Sequence, residues 1–254
     1  LDVSEKTVLE DQLATNSKIR LDQLLVERGF VATRAKAQAL IMAGLVYTDT
    51  RKLEKPGTQV RPDTSLTLKG QDHPWVSRGG LKLDHGLNHF NMDVNGVTAL
   101  DIGASTGGFT DVLLSRGAEK VYAVDVGHGQ LAWRLRQDNR VIVREKTNAR
   151  NLTSEHIPDP VHFLVCDASF IGLRTVLPAA MDLVASQGRM VTLIKPQFEA
   201  GSDHVGKNGV VINPTQHRRV CNIIRDWVGN YLDWTVLGLT ESPVKGPKGN
   251  TEFF

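Results

Sequence analysis

The chain has 254 residues, 41% of them hydrophobic and 23% charged, with a formal net charge of +2. That length accommodates one large domain or two unequal ones, and the composition is ordinary for a globular protein. No apolar run approaches the length of a membrane span and no signal-peptide pattern is present; Cys166 and Cys221 set up neither a disulfide framework nor metal-ligand spacing, which points to a reducing cytoplasm.

Residues 1–17 are polar and read as a flexible leader. From Lys18 to Gly70 the chain holds ten Lys/Arg against five acids, so the basic excess of the protein sits in this block and suits a polyanionic partner. Leu21, Leu24 and Leu25 share one helix face, and Gly29 is placed to stop that helix. Thr33 is suited to cap a second helix whose inner face carries Ala37, Leu40 and Ile41, with Gly44 ending it. Short strands are expected at Leu45–Thr48, Gln59–Val60 and Leu66–Leu68, separated by Asp49, Pro56-Gly57 and Pro62.

Four stretches of this block, Arg20–Leu25, Thr33–Ala37, Leu40–Val46 and Lys55-Pro56-Gly57, resemble the S4 RNA-binding fold. The resemblance implies a small α+β domain over 18–70 that binds structured RNA through basic side chains on its two helices. The matching positions are Lys18, Arg20, Arg34 and Lys36. Such contacts neutralise phosphates and position the RNA without reading its sequence. Each of these side chains also has the ordinary alternative of solvating a helix face.

Residues 71–77 form a connector containing Pro74 and Trp75. The domain expected over 78–254 opens on a helix from Leu81 to Phe90. Strands are then expected at Thr98–Ile102, Val121–Val124, Val141–Val143, Phe163–Val165, Met190–Ile194 and Thr235–Leu239. Between them fall helices at Gly108–Ser115, Gln130–Arg136, Leu173–Ala185 and Pro214–Val228. Strands alternating with helices give an α/β, Rossmann-like, mostly parallel sheet covered on both faces.

The run Leu100–Phe109 is the most informative part of the chain. An apolar strand meets Asp101, then a turn of small residues, then an amphipathic helix, which aims backbone N–H groups at a ligand. The spacing Gly103-x-x-x-Gly107-Gly108 is neither the dinucleotide fingerprint nor a P-loop. It resembles the first motif of S-adenosylmethionine-dependent methyltransferases, which makes Asp101, Gly103, Ala104, Ser105, Gly107, Gly108 and Phe109 candidates for holding that cofactor. Asp125 ends the next strand, where an acid can accept hydrogen bonds from both ribose hydroxyls of an adenosine. Val126 opens the turn that follows, which leaves room for a ligand.

Four ionisable residues bear on the reaction: Lys82 near the domain's start, Asp167 and Lys195 at the ends of two strands, and Glu252 near the last residue. They are distant in sequence, but strand ends of a parallel sheet converge on one cleft. A ribose 2′-hydroxyl is a poor acid, so methylating it requires stabilisation of developing negative charge on oxygen. Lysines in a dry pocket, steered by carboxylates, supply that. The set resembles the Lys-Asp-Lys-Glu tetrad of FtsJ-like RNA 2′-O-methyltransferases.

Further stretches, among them Trp75–Gly80, Gly103–Thr110, Gly129–Trp133, Thr147–Arg150, Ser169–Ile171, Lys195–Glu199 and Gly249-Asn250, are similar to one branch, the TlyA or hemolysin A family. That resemblance spans 18–254 and implies an S4 domain joined to an enzyme that methylates cytidine 2′-hydroxyls in ribosomal RNA, in the cytoplasm and without a metal. Two other readings stay open here, a cytolysin and a non-catalytic RNA-binding assembly factor. Glu252 is expected to be poorly placed, because the family usually continues its last strand beyond this point and a short end frays. The histidines show no metal spacing, Cys166 lacks the context of a cytosine-C5 nucleophile, and the loop Glu199–Gly209 reads as a mobile flap near the site.

Overall fold

The computed structural model describes residues 18–31, 33–48, 51–68, 73–231 and 233–254. The expected leader, Asp49, Gly70 and the start of the connector lie outside the described residues. The chain divides into two units, with the second beginning at Trp75.

In the first unit, β1 (Ile19–Arg20) leads into helix α1 (Leu21–Glu27), followed by α2 (Arg34–Met42). Four two-residue strands follow: β2 (Val46–Tyr47), β3 (Lys52–Leu53), β4 (Gln59–Val60) and β5 (Thr67–Leu68). β1 pairs antiparallel with β4, and β2 lies between β3 and β5. The two helices are ended as their sequence requires. Gly29 and Gly44 adopt φ of 70° and 68°, a region glycine enters without a Cβ penalty, and the Lys36 N–H donates to Thr33 Oγ1 at 3.3 Å. Leu21, Leu25, Ala37, Ile41 and Val46 are fully buried between helices and strands. Each large apolar side chain in such a place contributes about 1.5–3 kcal/mol of burial.

The second unit is a five-stranded parallel sheet in the order β10-β9-β6-β7-β8. Its strands are β6 (Thr98–Ile102), β7 (Lys120–Val124), β8 (Val141–Arg144), β9 (Val161–Cys166) and β10 (Val184–Thr192). Its helices include α3 (Gly79–His89), α4 (Gly108–Ser115), α6 (Leu173–Val176), α7 (Pro178–Met181), α8 (Pro196–Glu199) and α9 (Pro214–Gly229); α5 (Trp133–Arg136), which follows β7 in the chain, has Trp133 and Arg134 in the first unit and Leu135 and Arg136 in the second. Strands β6, β7 and β9 each bury four successive residues, the pattern of a sheet covered on both faces. The chain runs outward from β6 to β8, then returns to place β9 on the other side of β6. The order therefore reverses between β6 and β9, and ligands of such sheets bind beyond the strand ends at that reversal.

Two expected elements take a different form. The single helix expected over Leu173–Ala185 is interrupted at Pro178, which opens α7, and β10 already begins at Val184. Proline has no N–H to continue the preceding helix and suits the first helical position of the next. The strand expected over Thr235–Leu239 is absent. Leu237 and Leu239 are exposed, and the pairing lies just beyond this stretch, where Thr240 and Phe254 exchange backbone hydrogen bonds and Glu241 bridges Phe253.

Candidate active site

Strand register brings the candidate residues to one edge. Ile102 pairs with Val124 and Cys166, and Cys166 pairs with Thr192, so Gly103, Asp125, Asp167 and Lys195 all follow the carboxyl ends of neighbouring strands. Phe253 pairs with Ile194, which brings Glu252 beside the Lys195 segment. The closing residues do not fray: Ile194 and Phe253 exchange two backbone hydrogen bonds, Phe254 exchanges two with Thr240, and Glu252 is fully buried. The expectation of a poorly placed Glu252 is thus corrected, because the segment that carries it is held by Ile194 on one side and by Thr240 and Ser242 on the other.

The glycine loop is shaped by contacts that admit no side chain. Gly103 has φ 79°, and a Cβ there would lie 2.8 Å from Ala168 Cα. A Cβ on Gly108 would strike Ser77 and lie 2.9 Å from the Gly80 nitrogen. Gly107 caps α4 with φ 95°. Ala104 and Ser105 share this turn, Phe109 lies in the first turn of α4, and Ser105 itself adopts φ 49°. The Ser105 and Gly127 N–H groups donate to the two oxygens of Asp125 at 2.8 and 2.7 Å. Val126, next to Asp125, is 71% exposed, so an apolar surface lies open beside the carboxylate. Asp101 is fully buried and accepts from Thr110 Oγ1 at 2.6 Å; burial pushes its carboxyl up to about 7, with Asp167 and Asp125 adding to the effect. Asp101 therefore shapes the loop from beneath, through Thr110.

Two lysine–carboxylate pairs complete the site. Lys82 Nζ donates to Glu252 Oε2 at 2.6 Å, with both side chains buried. Gln197 Nε2 approaches Glu252 Oε1 at 3.5 Å. Lys195 Nζ lies 2.6 Å from Asp167 Oδ1 and also donates to the Asp167 carbonyl at 2.9 Å and to Ser169 Oγ at 2.8 Å. The helix carrying Lys82 is tied to the same place, since a Cβ on Gly79 would sit 3.8 Å from Asp167 Oδ2. Cys166 is fully buried and its thiol is pushed up to about 12 by that burial, which leaves it inert as a nucleophile.

Sequence reasoning missed several residues. Glu145 accepts from the N–H groups of Gly129 and Gln130 and from Arg136, and so fixes the loop that follows Asp125. Burial opposes its ionisation, but these donors hold its carboxyl down at about 2. Phe170 adopts φ 65°, stands 90% exposed and packs at 5.3 Å against the Phe198 ring. Nothing in the spacing of Ser169-Phe170-Ile171 announces a left-handed backbone. Asn250 accepts from the Val211 N–H and donates to the Gly209 carbonyl, so the loop after Glu199 is pinned to the segment that carries Glu252.

In the first unit, Asp22 is the residue that sequence reasoning left out. Fully buried, it accepts from Arg20, Arg34 and Gln38; the Arg20 guanidinium above all holds its carboxyl well below the usual range. Arg20 and Arg34 are thereby brought together, while Lys18 and Lys36 stand exposed.

A family model described as FtsJ-like methyltransferase matches residues 75–254, and one described as S4 domain matches residues 19–66. The chain belongs to the FtsJ-like methyltransferase family. It is 47% identical to the "16S/23S rRNA (cytidine-2'-O)-methyltransferase TlyA" of Mycobacterium tuberculosis, over 93% of this chain and 88% of that one. To "Hemolysin A" of Brachyspira hyodysenteriae it is 38% identical, over 92% of this chain and 98% of that one. The solved "Putative hemolysin from Streptococcus thermophilus" superposes with a TM-score of 0.71 at 43% identity, covering 93% of this chain and 86% of that one. In this chain the S4 domain precedes the FtsJ-like methyltransferase domain. Among the described residues, no helix is long and apolar enough to cross a membrane, and no group of three or more His, Cys, Asp or Glu could hold a metal ion.

Proposed function

We propose that this protein transfers a methyl group from S-adenosylmethionine to a ribose 2′-hydroxyl, that of a cytidine, in ribosomal RNA in the bacterial cytoplasm. The observation that carries the reading is the pairing of two lysines with two carboxylates, Lys82–Glu252 and Lys195–Asp167, at the strand ends next to the glycine loop. The name of the Mycobacterium tuberculosis relative supports the same substrate.

The residues present fit the cofactor. Gly103 and Gly108 leave the loop without Cβ atoms where the backbone is closest packed, and Asp125 is a carboxylate suited to a ribose diol. Gly103, Ala104, Ser105, Gly107, Gly108 and Phe109 would line the loop side, with Asp125 and Val126 at the ribose and adenine side. When bound, the cofactor supplies a methyl group on a positively charged sulfur.

The protein's own task is to make a ribose oxygen nucleophilic. Asp167 fixes Lys195 Nζ, and that ammonium stabilises the negative charge that gathers on the 2′-oxygen as its proton passes to solvent water. Glu252 holds Lys82 in the same way, so the second cation keeps its position in a dry site. The exposed ring of Phe170 offers a face on which an unstacked base can lie. Lys18, Arg20, Arg34 and Lys36 of the S4 unit bind RNA phosphates, the guanidiniums of Arg20 and Arg34 being oriented by Asp22.

The test is transfer of labelled methyl groups to small and large ribosomal subunits, offered separately, from cells that lack this protein. Transfer to at least one subunit by the wild type, and none by Lys195→Ala, is the expected result. No transfer to either would overturn the reading.

A further inference from the structure

The environment of Lys195 Nζ points to a role for a neighbour that has none so far. An ammonium carries three N–H groups. Three oxygens already lie within 2.9 Å of Lys195 Nζ: Asp167 Oδ1, the Asp167 carbonyl and Ser169 Oγ. Two of them accept its hydrogen bonds, the Asp167 carbonyl and Ser169 Oγ, while Asp167 Oδ1 is an ion-pair contact, so a substrate hydroxyl that is to be steered by this ammonium competes with oxygens already crowded around it.

The three are not equivalent. Two belong to Asp167, one as the charged partner of the lysine and one as backbone at the end of β9, whose next N–H is fixed to the Ile102 carbonyl at 3.0 Å. The third is a neutral hydroxyl on an exposed residue, free to change rotamer, whereas Lys195 itself is only 5% exposed. Of the residues that contact Lys195 Nζ, Ser169 is the one that stands exposed, while Asp167 is half-buried. Exchanging a neutral oxygen for another costs little, whereas giving up the carboxylate would leave a buried cation without its counter-charge.

Resting on the proposed 2′-O-methyltransferase reading, we infer that Ser169 Oγ stands in for the substrate's 2′-oxygen. It occupies one of the two acceptor positions on Lys195 in the free protein and yields it when the target ribose enters. Ser169 is then a positioning residue: it keeps the ammonium solvated and aimed, and it sets how much the incoming hydroxyl gains by binding. No covalent step involves it.

The consequence is a change in discrimination between ribose and deoxyribose. Without the Ser169 hydroxyl, Lys195 lacks an acceptor until the 2′-hydroxyl arrives, so that hydroxyl gains more on binding. The experiment uses a ribosomal RNA fragment that the wild type methylates, prepared with ribose or with 2′-deoxyribose at the methylated nucleotide. The affinity ratio between the two RNAs is measured in the presence of S-adenosylhomocysteine. Ser169→Ala is expected to raise the ratio about three- to tenfold, the size of one exchanged hydrogen bond, and Ser169→Thr, which keeps the hydroxyl, to return it to the wild-type value. A ratio in Ser169→Ala equal to or below that of the wild type overturns the inference, as does a raised ratio that Ser169→Thr does not restore. If the wild type methylates no ribosomal RNA, the underlying reading fails instead, and the two failures are thereby told apart.

Discussion

Lys82 and Glu252 are joined by a 2.6 Å hydrogen bond across 170 residues of chain, and both side chains are buried. The pair ties the first helix of the second unit to its C-terminal segment, and it also places a cation in the site. The two roles separate by mutation. Glu252→Ala leaves a buried, unpaired ammonium and is expected to lower unfolding stability in urea by about 3–5 kcal/mol. The double variant Lys82→Met/Glu252→Leu removes both charges, and should recover at least half of that loss without recovering methyl transfer. A double variant as unstable as Glu252→Ala, or one that regains activity, contradicts the assignment.

Asp125 holds Ser105 and Gly127 by one carboxylate oxygen each. Asp125→Ala removes both anchors together with the proposed ribose acceptor. S-adenosylmethionine affinity, measured by titration calorimetry, is expected to fall about 10- to 100-fold, the range for hydrogen bonds to a charged group. A change below twofold would place the cofactor elsewhere.

Asp101 makes stability depend on pH in a stated direction. Its carboxyl holds a proton up to about 7 in the folded protein because it is buried, against an ordinary value of 3.8. Between those values the folded state binds more protons than the unfolded one, so this group's contribution to stability falls as pH rises from about 4 to about 7 and stays lost above that. Asp101→Asn cannot titrate yet keeps an acceptor for Thr110. The melting temperature of the variant minus that of the wild type should grow from pH 5 to pH 8. A difference that stays constant across that range contradicts the burial argument.

The S4 unit is expected to act through charge alone. Arg34→Ala/Lys36→Ala should weaken RNA binding and reduce the slope of log affinity against log salt by about 1 to 2. Cofactor affinity should not change. An equal fall in cofactor affinity would mean that the two units do not divide the work in this way.

Much of the fold was legible because its signals are local. Thr98–Ile102 and Gly108–Ser115 form where apolar runs and glycine punctuation place them, and Thr33 caps its helix as its hydroxyl suggests. Thr235–Leu239 has the apolar pattern of a strand, yet a strand needs a paired neighbour, and that cannot be read from one segment. In the site, the residues with motif context converge as expected. Glu145, Asn250 and Asp22 were missed because their work is to accept hydrogen bonds from residues far along the chain or from a neighbouring turn. An isolated acid or amide gives no sign of that in sequence.

The central claim is that the methyl group goes to a ribose oxygen under the control of Lys195. The direct measurement is alkaline hydrolysis of ribosomal RNA after transfer of a labelled methyl group, because a 2′-O-methyl group blocks cleavage of the adjacent phosphodiester. The wild type is predicted to leave the label in an alkali-resistant dinucleotide that begins with a methylated cytidine, and Lys195→Ala to leave no label. Label recovered on a base in mononucleotides would contradict the account.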